Sequence, residues 1–364
     1  MKKKLVALLC VGALALSLTA CTEKSDQAAA EAETQDTTEA ADASDAPEET
    51  DTQGTEDVQE SSGGTKQIAY LTPGLDLPFW RYLANGIENE VIDSGMDATV
   101  QVYDSNNSSE IQLQNAQDAI AKQVDMIIIS PTDSSSCPAV LAMAEDAEIP
   151  VVIADIGTDS GKYDAFIVTP NAEGSQELGE YVLQYMKDNG IAGTAAQITG
   201  SLARNNIKAR YEGFNAALEK FNVELADYTQ MSQFTRAEAE GFTQDLMTTY
   251  GDLGVVFVHM DEPTLGAVKA VQNADKGDSV IVCGFDGTPE TVQEIEAGRL
   301  LAAAIQQPAL MGKLAVQAAS QIFNGETPEE QIDVPTLLVT AENCGDEEVV
   351  KQLQENVFPE SKAK

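Results

Sequence analysis

The chain has 364 residues, with 60 Asp and Glu against 21 Lys and Arg, a net charge of −39 and a single histidine. Its basic residues are scattered, Arg204, Lys208 and Arg210 forming the one local grouping, so a phosphate-gripping surface and a nucleic-acid partner are excluded. One imidazole and no Cys-x-x-Cys pair rule out the usual zinc site and a redox dithiol, and no metal or cofactor is expected.

Lys2, Lys3 and Lys4 precede an apolar run to Ala20 that is too short to span a bilayer and has the form of an export signal. The run ends in Leu18-Thr19-Ala20-Cys21, which resembles the bacterial lipobox and implies that Cys21 takes a lipid and becomes the new N-terminus. Residues 22–66 hold fourteen acids, two lysines and no aromatic, so they cannot bury a core and are expected to form an extended tether. Of the net −39, the leader lysines hold +3 and this stretch −12, which leaves −30 on the remainder. That acidity signals solubility and gives no positive evidence for a cationic ligand.

From residue 67 strand and helix patterns alternate. Strands are expected at 68–71, 98–103, 125–129, 151–154 and 165–169, with helices at 79–94, 109–123 and 134–148 between them. The pattern restarts with helices at 173–188, 205–221, 236–249 and 265–273 among strands at 195–199, 224–228, 255–259 and 280–285. A strand at 300–305, a helix at 310–323 and a strand at 335–339 are too little for a third domain and are expected to complete both sheets. Repeated β-α-β units of this kind give an α/β fold of two similar doubly wound, parallel-sheet lobes joined by a multi-strand hinge. The expected division is signal 1–20, lipidated cysteine and tether 21–66, N-lobe 67–170 with 308–334, and C-lobe 171–307 with 335–364.

Asp286 stands at the carboxyl end of an apolar strand, in Gly284-Phe-Asp-Gly-Thr-Pro289. Ligands of open α/β sheets bind outside such ends, yet an Asp before Gly-Thr-Pro also suits a helix cap, and the loop alone leaves both readings open. His259 closes another strand, in a structural or pocket-lining place, and Cys283 lies within an apolar strand as core.

Taken together, Ile68-Ala-Tyr-Leu71, Pro78-Phe79-Trp80, Ile128-Ile-Ser-Pro-Thr-Asp133, Arg210-Tyr-Glu-Gly-Phe214, His259-Met-Asp-Glu262 and Gly284-Phe-Asp-Gly-Thr-Pro289 resemble the type 1 periplasmic binding proteins, above all the ribose and galactose receptors of sugar ABC transporters. The resemblance implies that Phe79, Trp80 and Phe234 stack on a sugar face, and that Ser130, Asp155, Lys208, Met260, Asp286 and Gln307 occupy the polar rim. The rim departs from the ribose pattern: Leu77, Ile156 and Met260 stand where Asn, Arg and Asn are usual, Ser130 replaces an Asn and Lys208 an Arg. Fewer donors imply a ligand with fewer hydroxyls or a larger apolar face than ribose.

The implied mechanism is closure of two lobes on one small sugar or sugar-like molecule, handed to an ABC permease and its ATPase on other chains, by a monomer lipid-anchored on the extracytoplasmic face of the membrane. The alternative is a receptor of the same fold that informs a chemoreceptor or histidine kinase. An enzyme is not expected, because no nucleophile elbow, His-Glu-x-x-His or phosphate loop is present and the carboxylates Asp155 and Asp286 suit hydroxyl acceptors better than a glycosidase pair.

Overall fold

A computed structural model of the chain describes residues 64–363. The export signal, Cys21 and the acidic stretch up to residue 63 lie outside the described residues. Two six-stranded sheets organise the rest, in the orders β11-β5-β4-β3-β1-β2 and β12-β10-β9-β8-β6-β7. The first holds β1 (Lys66–Thr72), β2 (Ala98–Asp104), β3 (Met126–Ile129), β4 (Val151–Ala154), β5 (Ala165–Val168) and β11 (Gln331–Asp333), all parallel. The second holds β6 (Thr194–Thr199), β7 (Leu225–Gln230), β8 (Leu253–Val258), β9 (Ile281–Phe285) and β10 (Ala302–Ile305), with β12 (Leu337–Thr340) antiparallel at one edge.

Both faces of each sheet are covered, so their central strands read as unbroken apolar runs. In β3, Met126 and Ile128 enter one core and Ile127 and Ile129 the other; in β8, Val256 and Val258 part from Val255 and Phe257 in the same way. Each fully buried aliphatic of this kind contributes about 1.5–3 kcal/mol. Helices α1 (Pro78–Ser94), α2 (Ser109–Ala121), α3 (Cys137–Asp146) and α9 (Pro308–Phe323) flank the first sheet. Around the second lie α4 (Asn171–Asp188), α5 (Asn205–Phe221), α6 (Arg236–Thr249), α7 (Asp261–Asn273) and α8 (Pro289–Glu296). Helices α1 and α9 touch backbone to backbone at Gly86, where a Cβ would collide with the Ala309 carbonyl.

The chain passes between lobes after β5, after β10 and between β11 and β12, three crossings that make the hinge, and passes back a fourth time beyond Val357. Gln307 ties two of these crossings together by donating to the Pro335 carbonyl at 2.8 Å, and Val334 N–H donates to the Val168 carbonyl at 2.8 Å.

Some elements differ from expectation for local reasons. Helix α3 begins at Cys137 and not at 134, because the Asp133 carboxylate accepts from the N–H groups of Ser135 and Ser136 and holds them in a turn. The three-residue β11 and the helix α10 (Glu347–Gln352), which continues into a π-helical turn at Leu353–Val357, were not anticipated. That C-terminal segment also departs from the assignment of 335–364 to a single lobe. Leu353 and Val357 enter the second lobe's core, after which the chain crosses onto α1. There Asn85 and Asn89 donate to the carbonyls of Pro359 and Glu360 at 3.0 and 2.9 Å, and Lys362 pairs with Asp93 at 2.6 Å. Among the described residues no helix is long and apolar enough to cross a membrane.

Candidate functional site

The carboxyl ends of the strands in both sheets face one cleft. Leu77, Phe79 and Trp80 follow β1; Asp155 and Ile156 follow β4; Arg204, Asn206, Ile207 and Arg210 follow β6; Phe234 follows β7; Met260, Asp261 and Pro263 follow β8; Asp286 follows β9; and Gln306 follows β10. These side chains line a single pocket with apolar walls and a charged floor. Phe79 and Trp80 meet edge to face, with ring centroids 4.8 Å apart. Gly200 leaves room for the opposite wall, since a Cβ there would lie 2.6 Å from the Met260 methyl and 3.3 Å from the Phe234 ring.

Three lining residues hold a left-handed backbone: Asp155 at φ 71°, Phe234 at φ 54° and Asp286 at φ 65°. For a non-glycine residue this conformation costs about 1–2 kcal/mol. Asp155 and Asp286 directly follow β4 and β9, Phe234 lies in the loop between β7 and α6, and all three line the cleft.

The floor is a buried polar network around Arg210, which is 2% exposed. Arg210 donates through Nη1 to Asp286 Oδ2 at 2.9 Å and to the His259 carbonyl at 2.6 Å, and through Nε to Asn171 Oδ1 at 2.8 Å, while its guanidinium lies 4.0 Å from the centre of the Phe285 ring. Gln306 Nε2 donates to the other carboxylate oxygen of Asp286 at 2.7 Å. Thr288, and not Asp286, caps α8, and the Asp286 carboxylate lines the cleft. Burial pushes Asp286 above the usual carboxylate range, a rise that Arg210 opposes. Desolvation likewise raises Asp155 and Asp261, each to about 7, whereas buried His259, beside Arg210, is held well below its ordinary value.

A second set of contacts bridges the lobes at the cleft's mouth. Arg204 donates from Nε to the Thr132 carbonyl at 2.9 Å and from Nη2 to Asn107 Oδ1 at 2.6 Å, with its guanidinium 5.4 Å from the Phe234 ring centre. Asn205 N–H donates to Ser134 Oγ at 3.3 Å, and Asn206 Nδ2 to Asp155 Oδ2 at 3.1 Å. The lobes are thus closed on one another.

Of the nine residues expected to bind ligand, the structure brings Phe79, Trp80, Asp155, Phe234, Met260 and Asp286 together. Three others lie elsewhere. Lys208 points to solvent from α5 beside Glu212, and Asn206 and Arg210, one turn apart on the opposite face, enter the cleft instead. Gln307 belongs to the hinge, where it also accepts from Asn356 Nδ2 at 2.8 Å, and its neighbour Gln306 faces the pocket. Ser130 is fully buried behind the cleft, with its hydroxyl 3.1 Å from that of Tyr70. Arg204, Asn206, Arg210, Asp261 and Gln306 are polar lining residues that the sequence reading missed; the i, i+4 spacing of Asn206 and Arg210 was the available signal. Among the described residues no group of three His, Cys, Asp or Glu side chains is arranged to hold a metal ion.

Residues 68–327 match the family model described as periplasmic binding protein domain. The chain is 32% identical over 292 residues to the ribose import binding protein of Haemophilus influenzae, covering 78% of this chain and 94% of that one. It is also 32% identical to the ribose import binding protein of Bacillus subtilis, over 77% of this chain and 90% of that one. Among solved structures, an ABC transporter solute-binding protein from Bacillus halodurans with bound myo-inositol superposes with a TM-score of 0.73 at 27% identity, over 80% of this chain and 99% of that one. A carbohydrate-transporter solute-binding protein from Agrobacterium radiobacter shares the fold at TM-score 0.74 and 20% identity, over 81% of this chain and 100% of that one. The chain therefore belongs to the type 1 periplasmic binding proteins of the ribose and galactose group, a family of sugar-binding transport proteins and not of enzymes.

Proposed function

We propose that this protein is a lipid-anchored receptor that captures one sugar or sugar-like molecule outside the cytoplasm and presents it, lobes closed, to an ABC permease and its ATPase. One observation carries the reading. Asp155 and Phe234, on opposite lobes, and Asp286 all hold left-handed backbone in the loops beyond their strands and all line one aromatic-walled pocket. Aromatic faces suit the C–H face of a sugar ring, and carboxylates and amides suit its hydroxyls. A ligand touching both lobes stabilises the closed form, because only differential contact shifts such an equilibrium.

The lysine-led apolar leader ending in Cys21 supports an anchor at the membrane, and the acidic stretch that follows supports a tether holding the lobes clear of it. The receptor acts as a monomer, since one chain supplies both walls of the cleft.

A thermal-shift screen of the full chain in detergent, against pentoses, hexoses, deoxysugars, cyclitols and amino sugars, tests the binding function. A ligand bound by the native state alone adds about 2.7 kcal/mol at a hundredfold excess over its Kd. A single strong hit, abolished by Asp286→Ala, is the expected result; a flat screen across all classes overturns the reading. Labelling with radioactive palmitate, lost in Cys21→Ser, tests the anchor separately.

A further inference from the structure

The cleft has acceptors in excess. Its lining includes three carboxylates, Asp155, Asp261 and Asp286, against two guanidiniums, Arg204 and Arg210. Arg210 is committed to Asp286, the His259 carbonyl and Asn171. Arg204 spends two N–H groups on neutral oxygens, at Thr132 and Asn107. Among the described residues, Asp155 and Asp261 form no ion pair.

Two buried side-chain atoms of this lining lack any hydrogen-bond partner, and both are acceptors: Asp155 Oδ1 and Gln306 Oε1, on residues 2% and 1% exposed. The Gln306 orientation is fixed, because flipping its amide would set oxygen against the Asp286 carboxylate. Leu77, Ile156 and Met260 add no donors to the walls, and the rings of Phe79, Trp80 and Phe234 offer faces that attract a cation. A buried carboxylate without a cation is costly and lowers that cost by taking up a proton.

Resting on the reading of a sugar-like ligand given above, we infer that the ligand carries a primary amine, as an amino sugar or aminated cyclitol, and that its ammonium is held by Asp155 while Gln306 Oε1 accepts from a hydroxyl or a second N–H. The aminated ligand would supply the missing positive charge between the lobes. A neutral polyol could satisfy the two orphan acceptors, yet it would leave Asp155 without a cation in direct contact, with only the more distant guanidiniums of Arg210 and Arg204 to favour its charge.

The experiment is calorimetric titration of the full chain at pH 7 with matched pairs: glucosamine and glucose, galactosamine and galactose, an inosamine and myo-inositol. One aminated member is expected to bind at least about tenfold more tightly than its neutral parent, a difference of about 1.4 kcal/mol. Asp155→Asn should erase that difference, weakening both members of the pair but the aminated one by at least about tenfold more. Ile156→Arg, which sets a cation beside Asp155, should erase it by another route, so one misfolded variant does not end the test. Equal affinities within every pair, or an Asp155→Asn variant that keeps the amine's advantage, overturns the inference while leaving the sugar receptor intact. Absence of binding by every member, together with a flat thermal screen, overturns both.

Discussion

Replacing Arg204 by alanine removes the side chain that joins the lobes across the cleft's mouth. Its Nε bond to the Thr132 carbonyl and its Nη2 bond to Asn107 Oδ1 measure 2.9 and 2.6 Å, and both acceptors belong to the opposite lobe. Hydrogen bonds from a charged donor are worth about 1.5–3 kcal/mol each, and competition with water at this half-buried site halves the pair to about 2 kcal/mol in total. The loss falls on the closed state alone, because neither contact survives when the lobes part. At 1.4 kcal/mol per decade, the Kd for the best ligand of the screen should rise about thirtyfold. Calorimetry reads that change directly. The melting temperature without ligand should stay close to the parent's, since both contacts join the lobes across the cleft and neither lies within one lobe. A rise in Kd of less than about threefold, below roughly 0.7 kcal/mol, would refute the view that this side chain holds the lobes closed.

Arg210→Met strands Asp286 in the floor; breaking a buried pair from one side costs about 3–5 kcal/mol, which should lower Tm by about 10 °C in calorimetric scans. A loss under about 1 kcal/mol would show that Asp286 simply takes a proton. Asp155 and Asp261, at about 7 in the fold against roughly 3.9 unfolded, make the native chain the greater proton binder between those values. Ligand-free stability should therefore fall as pH rises from about 4 to about 7, and Asp155→Asn should flatten that slope; identical slopes in parent and variant would contradict it. Gln306→Ala deprives Asp286 Oδ1 of its donor and should weaken ligand binding at least tenfold, about 1.4 kcal/mol or more. Gln307→Ala should leave affinity within about threefold, because that side chain spans the hinge; the reverse order of effects in a titration would return Gln307 to the ligand.

Much of the architecture was legible because parallel strands buried on both faces write themselves as short aliphatic runs, as in 126–129 and 253–258, and because helices alternate with them. The site was partly legible where a single residue ends a strand: Asp155 and Asp286 do line the cleft, although the loop of Asp286 suited a helix cap equally well. It blurred where direction depends on angle. Lys208 lies on α5 between Asn206 and Arg210, and at about 100° per residue two positions carry a side chain to the opposite face, a distinction that motif matching alone does not make. Gln306 and Gln307 form a pair just past β10, and only the hinge partner of Gln307 tells them apart. Ser130 follows β3 and reads as a cleft residue, but Gln112 and Tyr70 draw it inward. The C-terminal crossing onto α1 rests on asparagine contacts to carbonyl groups, which leave no periodic trace in sequence.

That crossing decides how the molecule can be instrumented. Lys66 opens β1, and Lys362, near the other end, is pinned to Asp93 of α1, so both described ends ride on the same lobe. Fluorophores placed at the two ends would keep their separation while the cleft opens and shuts, and an end-to-end optical reporter would be silent however strongly ligand binds. A working sensor needs one dye in the second lobe, for example at the exposed Tyr185 or Tyr228, with its partner near Lys66.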